Sequence, residues 1–342
     1  MASPITSKTF NLPWLDSLLE RLSSDQVGKS FTQLIKQLLV PIIALVIFLG
    51  LWSVGAKNVE TSLGILPGPA KVWEQTEALY EEHHAERVKA DAFYERIQTR
   101  VDKAIADGQP QERIDRMKSR KYTGKETFFD QILTSLLTVM AGFLVASLLA
   151  IPIGVVCGMS ATLYTAINPL IQIFKPVSPL AWLPLVTMVV SALYVTNDPI
   201  FSKSFLTSAI TVTLCCLWPT IINTTVGVSG VDKDLINVSR VLRLNAFTKT
   251  VTIILPSAIP MIFTGLRLSL GIGWMVLIAA EMLAQNPGLG KFVWDEFQNG
   301  SSNSLARIMV AVLVIGFIGF LLDRGMLMLQ RMFSWDKNTV LR

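Results

Sequence analysis

The residue types that usually perform catalysis are scarce in this chain of 342 residues. Its two histidines, His83 and His84, are adjacent in a charged segment, and its three cysteines, Cys157, Cys215 and Cys216, lie inside apolar runs. Thiols in such runs are typical of core or lipid-facing positions rather than of disulfides or metal sites. The residues allow neither a zinc-ligand pattern nor a Ser-His-Asp order, so the sequence argues against an enzyme and predicts no metal.

A nucleotide-binding loop is also missing from the sequence. The pattern G-x-x-x-x-G-K-[ST] does not occur, and in the GLGK stretch at 288–291 the lysine is followed by Phe292. That stretch also lacks a glycine five residues before Gly290. The chain therefore has no phosphate cradle with which to hydrolyse ATP itself.

The remaining chemistry is that of a helix broken inside an apolar run. Three prolines at 176, 179 and 184 interrupt a long uncharged run, and backbone broken at membrane depth leaves a half-helix N-terminus that attracts anions. Hydroxyls near such a break can contact an anion, but they can equally bond to their own helix or to a neighbouring one. The candidate pathway residues are Ser178, Trp182, Thr187, Ser191 and Arg267.

Arg267 is the charged member of this set and has two interpretations. It lies about 16 Å along a helix from Pro256, at 1.5 Å per residue, which is near mid-membrane if Pro256 is at the surface. An arginine there costs about 2.5–3.5 kcal/mol and normally faces a partner or a pathway. It either caps carbonyls freed by the proline-broken segment or lines the cavity and offsets the charge of a passing anion.

Composition places the chain in a membrane. Apolar residues make up 51% and charged residues 16% of the chain, and the mean hydropathy is +0.49. These values are typical of integral membrane proteins. The net charge of +5 suits basic cytoplasmic loops, so no nucleic-acid partner is needed to explain it.

The apolar runs predict an all-α, polytopic protein with about six membrane spans. A tail at 1–36, with an amphipathic helix through Trp14, Leu15, Leu18, Leu19 and Leu22, precedes the first span at 37–56. A core at 130–330 and a basic tail at 331–342 complete the chain. Within the core the expected spans are 130–158, a proline-broken third span from about 167, 205–228, 256–283 and 305–322.

A charged insertion at 57–129 separates the first two spans. Apolar residues recur every four positions from Phe93 to Ile105, which predicts a long helix that ends at Gly108 and Pro110. A shorter helix through Ile114 and Met117 should pack back on it. We expect a solvated hairpin outside the membrane, between 71 and 125, or a docking surface for another protein.

Residues 231–256 form a polar, basic interval between two apolar runs. Leu235, Val238 and either Val241 or Leu242 make a narrow apolar stripe on a short helix, and a break near Asn245 precedes the next helix. Such a helix either lies on the lipid headgroups or is a lever that another protein pushes.

This interval resembles the cytoplasmic loop of ABC importer permeases, whose pattern is E-A-A, three residues, G, nine residues, I-x-L-P. The I-x-L-P part is present, whereas N-V-S replaces E-A-A and Arg243 replaces the glycine. Loss of the glycine predicts loss of the left-handed turn found there, and loss of the Glu removes a salt bridge to the partner. The match implies an ATPase-coupling role for Leu235, Asn237, Val238, Ser239, Leu242, Arg243, Ile253, Leu255 and Pro256.

The resemblance extends over about 130–330. FKPVSPLAWLPLVTMVVSALY, FTGLRLSLGIGW and AAEMLAQNPGLG are similar to the nitrate, bicarbonate and sulfonate branch of the type I importer permeases. NPLIQIFKPVSPLAWLPLVTMV, with the insertion after LPGPAKVWEQ, is most like bacterial nitrate permeases. The expected fold is therefore that of a type I ABC importer permease.

The family implies several partners for the chain. These are a second permease copy, two cytoplasmic ATPase subunits that hold ATP and Mg, an extracytoplasmic solute-binding protein and the lipid membrane; the chain itself needs no cofactor. Nitrate is the first candidate substrate, with nitrite, cyanate, bicarbonate and sulfonates such as taurine left open. An ATP-independent transporter or channel would need no ATPase-docking loop, and a membrane scaffold would not explain the proline-broken span.

Charge asymmetry predicts the orientation. With the termini inside, the tails and the 231–256 loop hold twelve Lys and Arg residues, whereas the short outside loops hold three. Basic residues favour the cytoplasmic side, and a loop as long as 57–129 is exempt from this count. We therefore expect a bacterial inner-membrane protein with both termini in the cytoplasm.

Overall fold

The computed structural model describes residues 26–61, 64–195, 201–301 and 303–333, with side chains described from residue 39 onward. The predicted amphipathic helix at 14–22 and most of the basic tail at 331–342 lie outside these residues. The chain divides into two compact units, residues 1–70 and 71–342.

The first unit contains one long helix and a small hairpin. Helix α1 is Gln26–Lys57. Strand β1, Glu60–Thr61, pairs antiparallel with β2, Gly64–Ile65, so that Glu60 lies opposite Ile65. The next helix, α2, begins at Pro69, at the boundary between the units, and continues to Ala106.

The second unit is built from helices. After α2 come α3 (Gln111–Lys118), α4 (Phe128–Met159), α5 (Ala161–Phe174), α6 (Pro179–Leu193), α7 (Lys203–Ser229), α8 (Lys233–Val241), α9 (Ala246–Lys249), a π-helical turn (Thr250–Ile254), α10 (Leu255–Ala284), α11 (Leu289–Asn299) and α12 (Ser304–Phe333).

Up to six membrane spans fit these helices. Five stretches are long and apolar enough: 39–57 in α1, α4, α7, the stretch from α9 through α10, and α12. The sixth is the pair α5 and α6, which passes the same test together although its two halves meet at 98°. The prediction of an all-α membrane fold with about six spans, a broken third span and a helical insertion after the first is confirmed.

The break in the third span follows from its prolines. Pro179 occupies the first turn of α6, where its missing N–H has no partner to lose. The hydroxyl oxygen of Ser178 accepts a hydrogen bond from the Leu180 N–H at 3.3 Å and so caps the new helix. The chain therefore starts a second helix in a new direction.

Helix α7 is the centre of the bundle and packs between α4 and α10. Toward α4, a Cβ added to Gly142 would lie 2.6 Å from the Ala209 carbonyl oxygen, and the Thr213 hydroxyl donates to the Gly142 carbonyl at 3.1 Å. Toward α10, the hydroxyls of Thr220 and Ser269 are 2.6 Å apart. Small residues and hydroxyls hold these helices close, which is typical of membrane bundles.

The insertion forms the predicted helical hairpin. Val101 and Ala104 of α2 and Ile114 of α3 make one buried apolar cluster. The reversal is made by Gly108, whose φ of 65° lies in the left-handed region, and the Gln109 N–H donates to the Ala104 carbonyl at 3.0 Å. The short helix therefore packs back on the long one.

The base of the hairpin is fastened to the segment that leads into α4. The Glu86 carboxylate accepts hydrogen bonds from the Tyr122 hydroxyl at 2.7 Å and the Lys125 N–H at 3.1 Å. The pKa of Glu86 is lowered from its ordinary value, mainly by the hydrogen bond from Tyr122 and second by the one from Lys89. The same bond raises the pKa of Tyr122.

The helix of the fifth span begins before the span itself, at the break predicted near Asn245. Helical backbone runs without interruption from Ala246, ten residues before Pro256, through the π-helical turn into α10. A proline inside a helix has no N–H to donate and crowds the carbonyl four residues before it. The wider π turn lies immediately before Pro256, where the helix accommodates both effects.

Candidate functional site

The loop between α7 and α10 contains a helix with two faces. The Asp232 side chain caps α8 by accepting from the Asp234 N–H at 2.8 Å. On the inner face Ile236 packs against a buried cluster, and Ser239, 2% exposed, donates to the Ile236 carbonyl at 2.6 Å. Ser239 therefore faces the interior of its own chain.

The outer face of α8 carries the predicted apolar stripe. Leu235, Val238 and Leu242 are 43%, 51% and 62% exposed. Val241 and Asn237 beside them are exposed as well. Exposed apolar side chains grouped on one short helix are typical of an interaction surface, and we name the set Leu235, Val238 and Leu242 the loop stripe.

The loop stripe rests on a packed base. The buried cluster under α8 contains Val155 of α4, Val228 of α7, Ile254 of the π turn, and Ala258 and Ile262 of α10. Ile236 of α8 thus rests on a cluster to which three spans and the π turn contribute.

The turn after α8 is left-handed even though it lacks the family's glycine. Arg243 has a φ of 51°. Its N–H donates to the Arg240 carbonyl at 3.0 Å, and the Leu244 N–H donates to the Ser239 carbonyl at 3.1 Å. These two bonds form a complete Schellman cap. The expectation that loss of glycine removes this turn was wrong, because the two bonds and the packing of α8 hold an arginine in it.

The second half of the loop holds the I-x-L-P residues. The Asn245 side chain accepts from the Thr248 N–H at 2.7 Å and starts α9 at the predicted break. Ile253, Leu255 and Pro256 are half-buried where the π turn meets α10. Phe247, 77% exposed on α9, adds an aromatic ring to the outer surface, and the sequence pattern did not single it out.

Four of the candidate pathway residues lie on α6. Ser178 is exposed and caps the helix, as described above. Trp182 is half-buried, and its ring centroid is 5.9 Å from that of Phe174, on the other side of the bend. Phe174 in turn stacks on Trp218 of α7 at 5.9 Å. The aromatic contacts tie the bent span to the central helix.

Thr187 and Ser191 share the exposed face of α6. They border the face that buries Leu183, Val186 and Val190, since Thr187 lies one turn after Leu183, and α6 contacts α7 and α10. The Thr187 hydroxyl donates to the Leu183 carbonyl at 2.8 Å, which is the own-helix bond considered as the alternative to a pathway role. The residue as a whole is exposed.

Arg267 is paired with an acid on the last span. Its guanidinium makes two parallel contacts with the Asp323 carboxylate: Nη2 to Oδ2 at 2.8 Å, and Nε to Oδ1. The two side chains are 35% and 37% exposed. Neither interpretation of Arg267 from the sequence included Asp323, because this acid directly follows the apolar run of the sixth span. The pair joins α10 to α12.

Within the described residues, no group of three or more His, Cys, Asp or Glu side chains is arranged to hold a metal ion. The geometry is that of a loop helix seated on a bundle and a bent span beside it.

Comparison with known proteins identifies the family. The model of the binding-protein-dependent transport system inner membrane component family matches residues 150–334, more than half of the chain. The chain belongs to this family. The matched part contains the bent span, the loop stripe and both residues of the Arg267–Asp323 pair.

Curated relatives of this permease are named for different small solutes. A nitrate import permease of Synechococcus elongatus is 36% identical over 219 residues, 61% of this chain and 75% of the relative. A bicarbonate transport permease of Synechocystis is 38% identical over 207 residues, 60% and 69% of the two chains. A taurine transport permease of Escherichia coli is 31% identical over 205 residues, 60% and 70%. The permease is therefore of the nitrate, bicarbonate and sulfonate branch of ABC importers.

A solved structure shows the same fold at low sequence identity. An inward-facing form of the MetNI methionine ABC transporter aligns with a TM-score of 0.52 and 13% identity, over 60% of this chain and 96% of that one. The likeness is evidence for the type I permease fold alone.

Arg307 is an important residue that sequence analysis did not single out, counting it only among the charges of an outer loop. Its Nη1 lies 3.1 Å from Glu296 Oε1, its Nη2 contacts Glu82, and its Nε donates to Gln75 Oε1 at 3.4 Å. One guanidinium thus joins α12, α11 and α2. The sequence signal for these contacts was an arginine at the start of an apolar run, together with an acid-rich helix elsewhere outside the membrane.

Glu281 is the second such residue. It is fully buried and accepts hydrogen bonds from the Ser135 hydroxyl at 2.8 Å and the Gly290 N–H at 2.9 Å. The Ser135 oxygen accepts from the Leu289 N–H at 2.9 Å. Glu281 therefore links α10, α4 and the start of α11. A single carboxyl inside an apolar run was its signal in the sequence.

Proposed function

We propose that this permease moves a small inorganic anion, with nitrate as the first candidate, into the cell by alternating access, driven by ATP hydrolysis on separate subunits. The observation that carries the proposal is the loop stripe: three exposed apolar side chains on a helix whose Ile236 packs against a buried cluster to which three spans and the π turn contribute. A transporter that worked without an ATPase would have no use for such a surface.

The proposed assembly follows from the family. Members belong to binding-protein-dependent systems, and ABC importers place their ATPases on separate chains. We assign to this permease a second permease copy, two cytoplasmic ATPase subunits that bind ATP and Mg, and an extracytoplasmic solute-binding protein. The loop stripe, with Phe247 beside it, is the surface that the ATPase grips.

The packing of α8 transmits the movement of the ATPase subunits to the spans. When the ATPase pair closes on ATP, it displaces α8 as a rigid body. Since α8 is seated on residues of α4, α7 and α10, those spans move with it and not independently. The movement opens the bundle to one side of the membrane at a time.

The bent span supplies the proposed anion contacts. The Ser178 oxygen accepts from the Leu180 N–H, which leaves its own O–H to donate to an anion near the N-terminus of α6. Trp182 and Ser191 continue along the same helix, and Thr187 joins them when its O–H releases the Leu183 carbonyl. Contacts of this kind are weak enough to release the ion, as transport requires.

Arg267 contributes less charge to this pathway than the sequence suggests. Asp323 neutralises its guanidinium in the structure. We therefore assign Arg267 the role of holding α10 against α12.

The orientation is part of the proposal. Basic residues in the tails and the loop put both termini and the loop stripe in the cytoplasm. The 57–129 insertion then lies outside the inner membrane. The loop stripe and the insertion are thereby assigned to opposite sides.

Bicarbonate is the second candidate, because a bicarbonate permease is as similar to this chain as the nitrate permeases are. The test is uptake into vesicles that contain the permease with its ATPase and binding-protein partners. We expect ATP-dependent accumulation of labelled nitrate that excess unlabelled nitrate abolishes and excess bicarbonate does not. Accumulation of bicarbonate or taurine instead would overturn the choice of anion, and accumulation without ATP would overturn the ABC mechanism.

A further inference from the structure

The far end of the insertion carries a basic pocket. Between the last turns of α2 and helix α3 lies a cavity of about 280 Å³. Its floor is half-buried and apolar, and its walls are guanidinium groups on exposed side chains. The lining residues, which we name the tip pocket, are Ile97, Arg100, Arg113, Arg116, Met117 and Arg120.

Most of these arginines are free to bind. Arg116 pairs with Glu112 at 2.6 Å on an exposed surface. Across the described residues, Arg100, Arg113 and Arg120 have no ion-pair partner. Residues 93–121 hold eight Lys and Arg against five Asp and Glu, whereas residues 71–92 hold three against six. The insertion is thus acidic at its base and basic at its tip.

The tip stands away from the bundle. The hydrogen bonds that fasten α2 to the segment before α4 are made by His83, Glu86 and Tyr94. Arg100 lies about 9 Å along the helix beyond Tyr94, the last of these contacts on α2, at 1.5 Å per residue. Around it, Val101, Ala104 and Ile114 pack only within the hairpin cluster. The hairpin core fixes the arginines in place without any support from the spans.

These features favour a protein, and not a free ion, as the ligand of the tip pocket. Exposed guanidiniums hold a small anion weakly in water because salt screens them. A protein surface that covers the pocket excludes that water, and arginine forks then bind carboxylates in pairs. Arg and Met, which line this pocket, are also enriched at protein interfaces.

We propose that the tip pocket is the docking surface for an acidic patch on the solute-binding protein. The insertion lies before the residues that the family model matches, so this surface belongs to the additional part of the chain. The inference rests on the proposed function in one respect, which is that the insertion faces the compartment of the binding protein.

The test reverses the three free charges in the complete transporter. The variant Arg100→Glu/Arg113→Glu/Arg120→Glu and the wild type are placed in vesicles with the ATPase subunits. ATPase activity is then measured as purified binding protein is added. We expect the half-saturating concentration of binding protein to rise roughly tenfold or more, with unchanged activity in its absence, and the wild-type value to rise with salt.

A matched control reverses three basic residues of the same hairpin that do not line the pocket. Lys103, Lys118 and Lys121 are exposed, so Lys103→Glu/Lys118→Glu/Lys121→Glu changes the net charge equally. The proposal requires a clearly smaller shift in this variant. Equal shifts would mean that only overall charge matters and would overturn the assignment of the pocket.

Other outcomes identify other occupants. If the arginine variant loses activity only in vesicles with phosphatidylglycerol and not in phosphatidylcholine, the tip binds lipid headgroups and the proposal is wrong. If it binds less nitrate with no binding protein present, the pocket is a small-anion site, which also contradicts the proposal. If binding protein fails to stimulate even the wild type, the proposed function itself fails.

Discussion

At the scale of single residues, the ion pair with Asp323 compensates the positive charge that Arg267 carries within a span. Removing one partner leaves the other charge unpaired in the bundle, which is costly, whereas removing both leaves an apolar contact. We expect Arg267→Leu and Asp323→Leu each to reduce the amount of folded permease in the membrane. Arg267→Leu/Asp323→Leu should restore it and retain uptake.

The double variant separates the two roles of Arg267. Folded protein is measured by monodisperse yield, and transport by labelled-anion uptake in vesicles. A double variant that assembles with its ATPase but does not transport would show that the guanidinium acts on the anion. In that case Arg267→Lys, which keeps the positive charge but loses the planar guanidinium, should still take up the anion, with a changed rate or selectivity.

Arg243 is strained by its left-handed backbone. A residue with a Cβ pays about 1–2 kcal/mol there, which glycine avoids, although glycine also gains entropy in the unfolded chain. We expect Arg243→Gly to leave the loop folded and to raise the melting temperature slightly. Arg243→Val should lower it, since a β-branched residue fits this region poorly. A lower melting temperature for the glycine variant would contradict the strain argument.

At the scale of elements, the loop stripe predicts a coupling defect. Val238→Asp puts a charge where an ATPase groove must exclude water, and burying an unpaired ion should cost several kcal/mol of docking free energy. We expect the variant to stay in the membrane, to lose its ATPase on purification and to lose uptake. The measurements are co-purification of the ATPase and vesicle uptake.

Val88→Asp is the control for that experiment. Val88 is 54% exposed on the insertion, close to the 51% of Val238, and receives the same substitution. It should leave ATPase association unchanged. Full uptake by Val238→Asp would show that α8 is not the lever.

The base of the insertion predicts a pH dependence. The folded pKa of Glu86 is lowered by the bond from Tyr122 and then by Lys89. Its stabilising effect is therefore complete above the ordinary Glu pKa, about 4.3, and is lost as pH falls through the lowered value. We expect the hydrogen-exchange protection factors of residues 120–127, which are corrected for the intrinsic pH dependence of exchange, to fall as pH drops below the ordinary Glu pKa.

Substitution of Glu86 provides the control. In Glu86→Gln, residues 120–127 should already be weakly protected from hydrogen exchange at pH 7, and acid should lower their protection little further. Glu112→Gln, which removes an exposed pair with Arg116, should behave like the wild type. Identical pH profiles for the wild type and Glu86→Gln would remove Glu86 from the explanation.

At the scale of the whole molecule, the proposed orientation places the insertion and the loop stripe on opposite sides of the membrane. The three native cysteines are buried, at 2%, 9% and 0% exposure, so they give little background labelling. In intact cells, a membrane-impermeant thiol reagent should label Tyr94→Cys from outside and Leu235→Cys only after the cytoplasmic side is opened. Labelling of both from the same side would overturn the topology.

The sequence by itself determined the architecture of this permease. Uncharged runs long enough to cross a bilayer predict the spans, since lipid admits few other residues. The three prolines at 176–184 predict the bend, and the pattern of Leu235, Val238 and Leu242 predicts an exposed stripe. Each of these signals is local, because it depends on the covalent order of neighbouring residues.

Only the tertiary structure decided which distant residues meet. Arg267 pairs with Asp323, Arg307 joins Glu82 to Glu296, and Glu281 accepts a hydrogen bond from Ser135. Arg307 and Glu296 lie on successive helices and the other pairs are farther apart along the chain, and no local pattern describes how these helices pack. The same holds for Arg243, whose local preference is against a left-handed turn. Its conformation is fixed by hydrogen bonds to Arg240 and from Leu244 to Ser239, and by α8 seated on three spans. Summed packing outweighs one residue's preference, and that sum exists only once the helices are assembled.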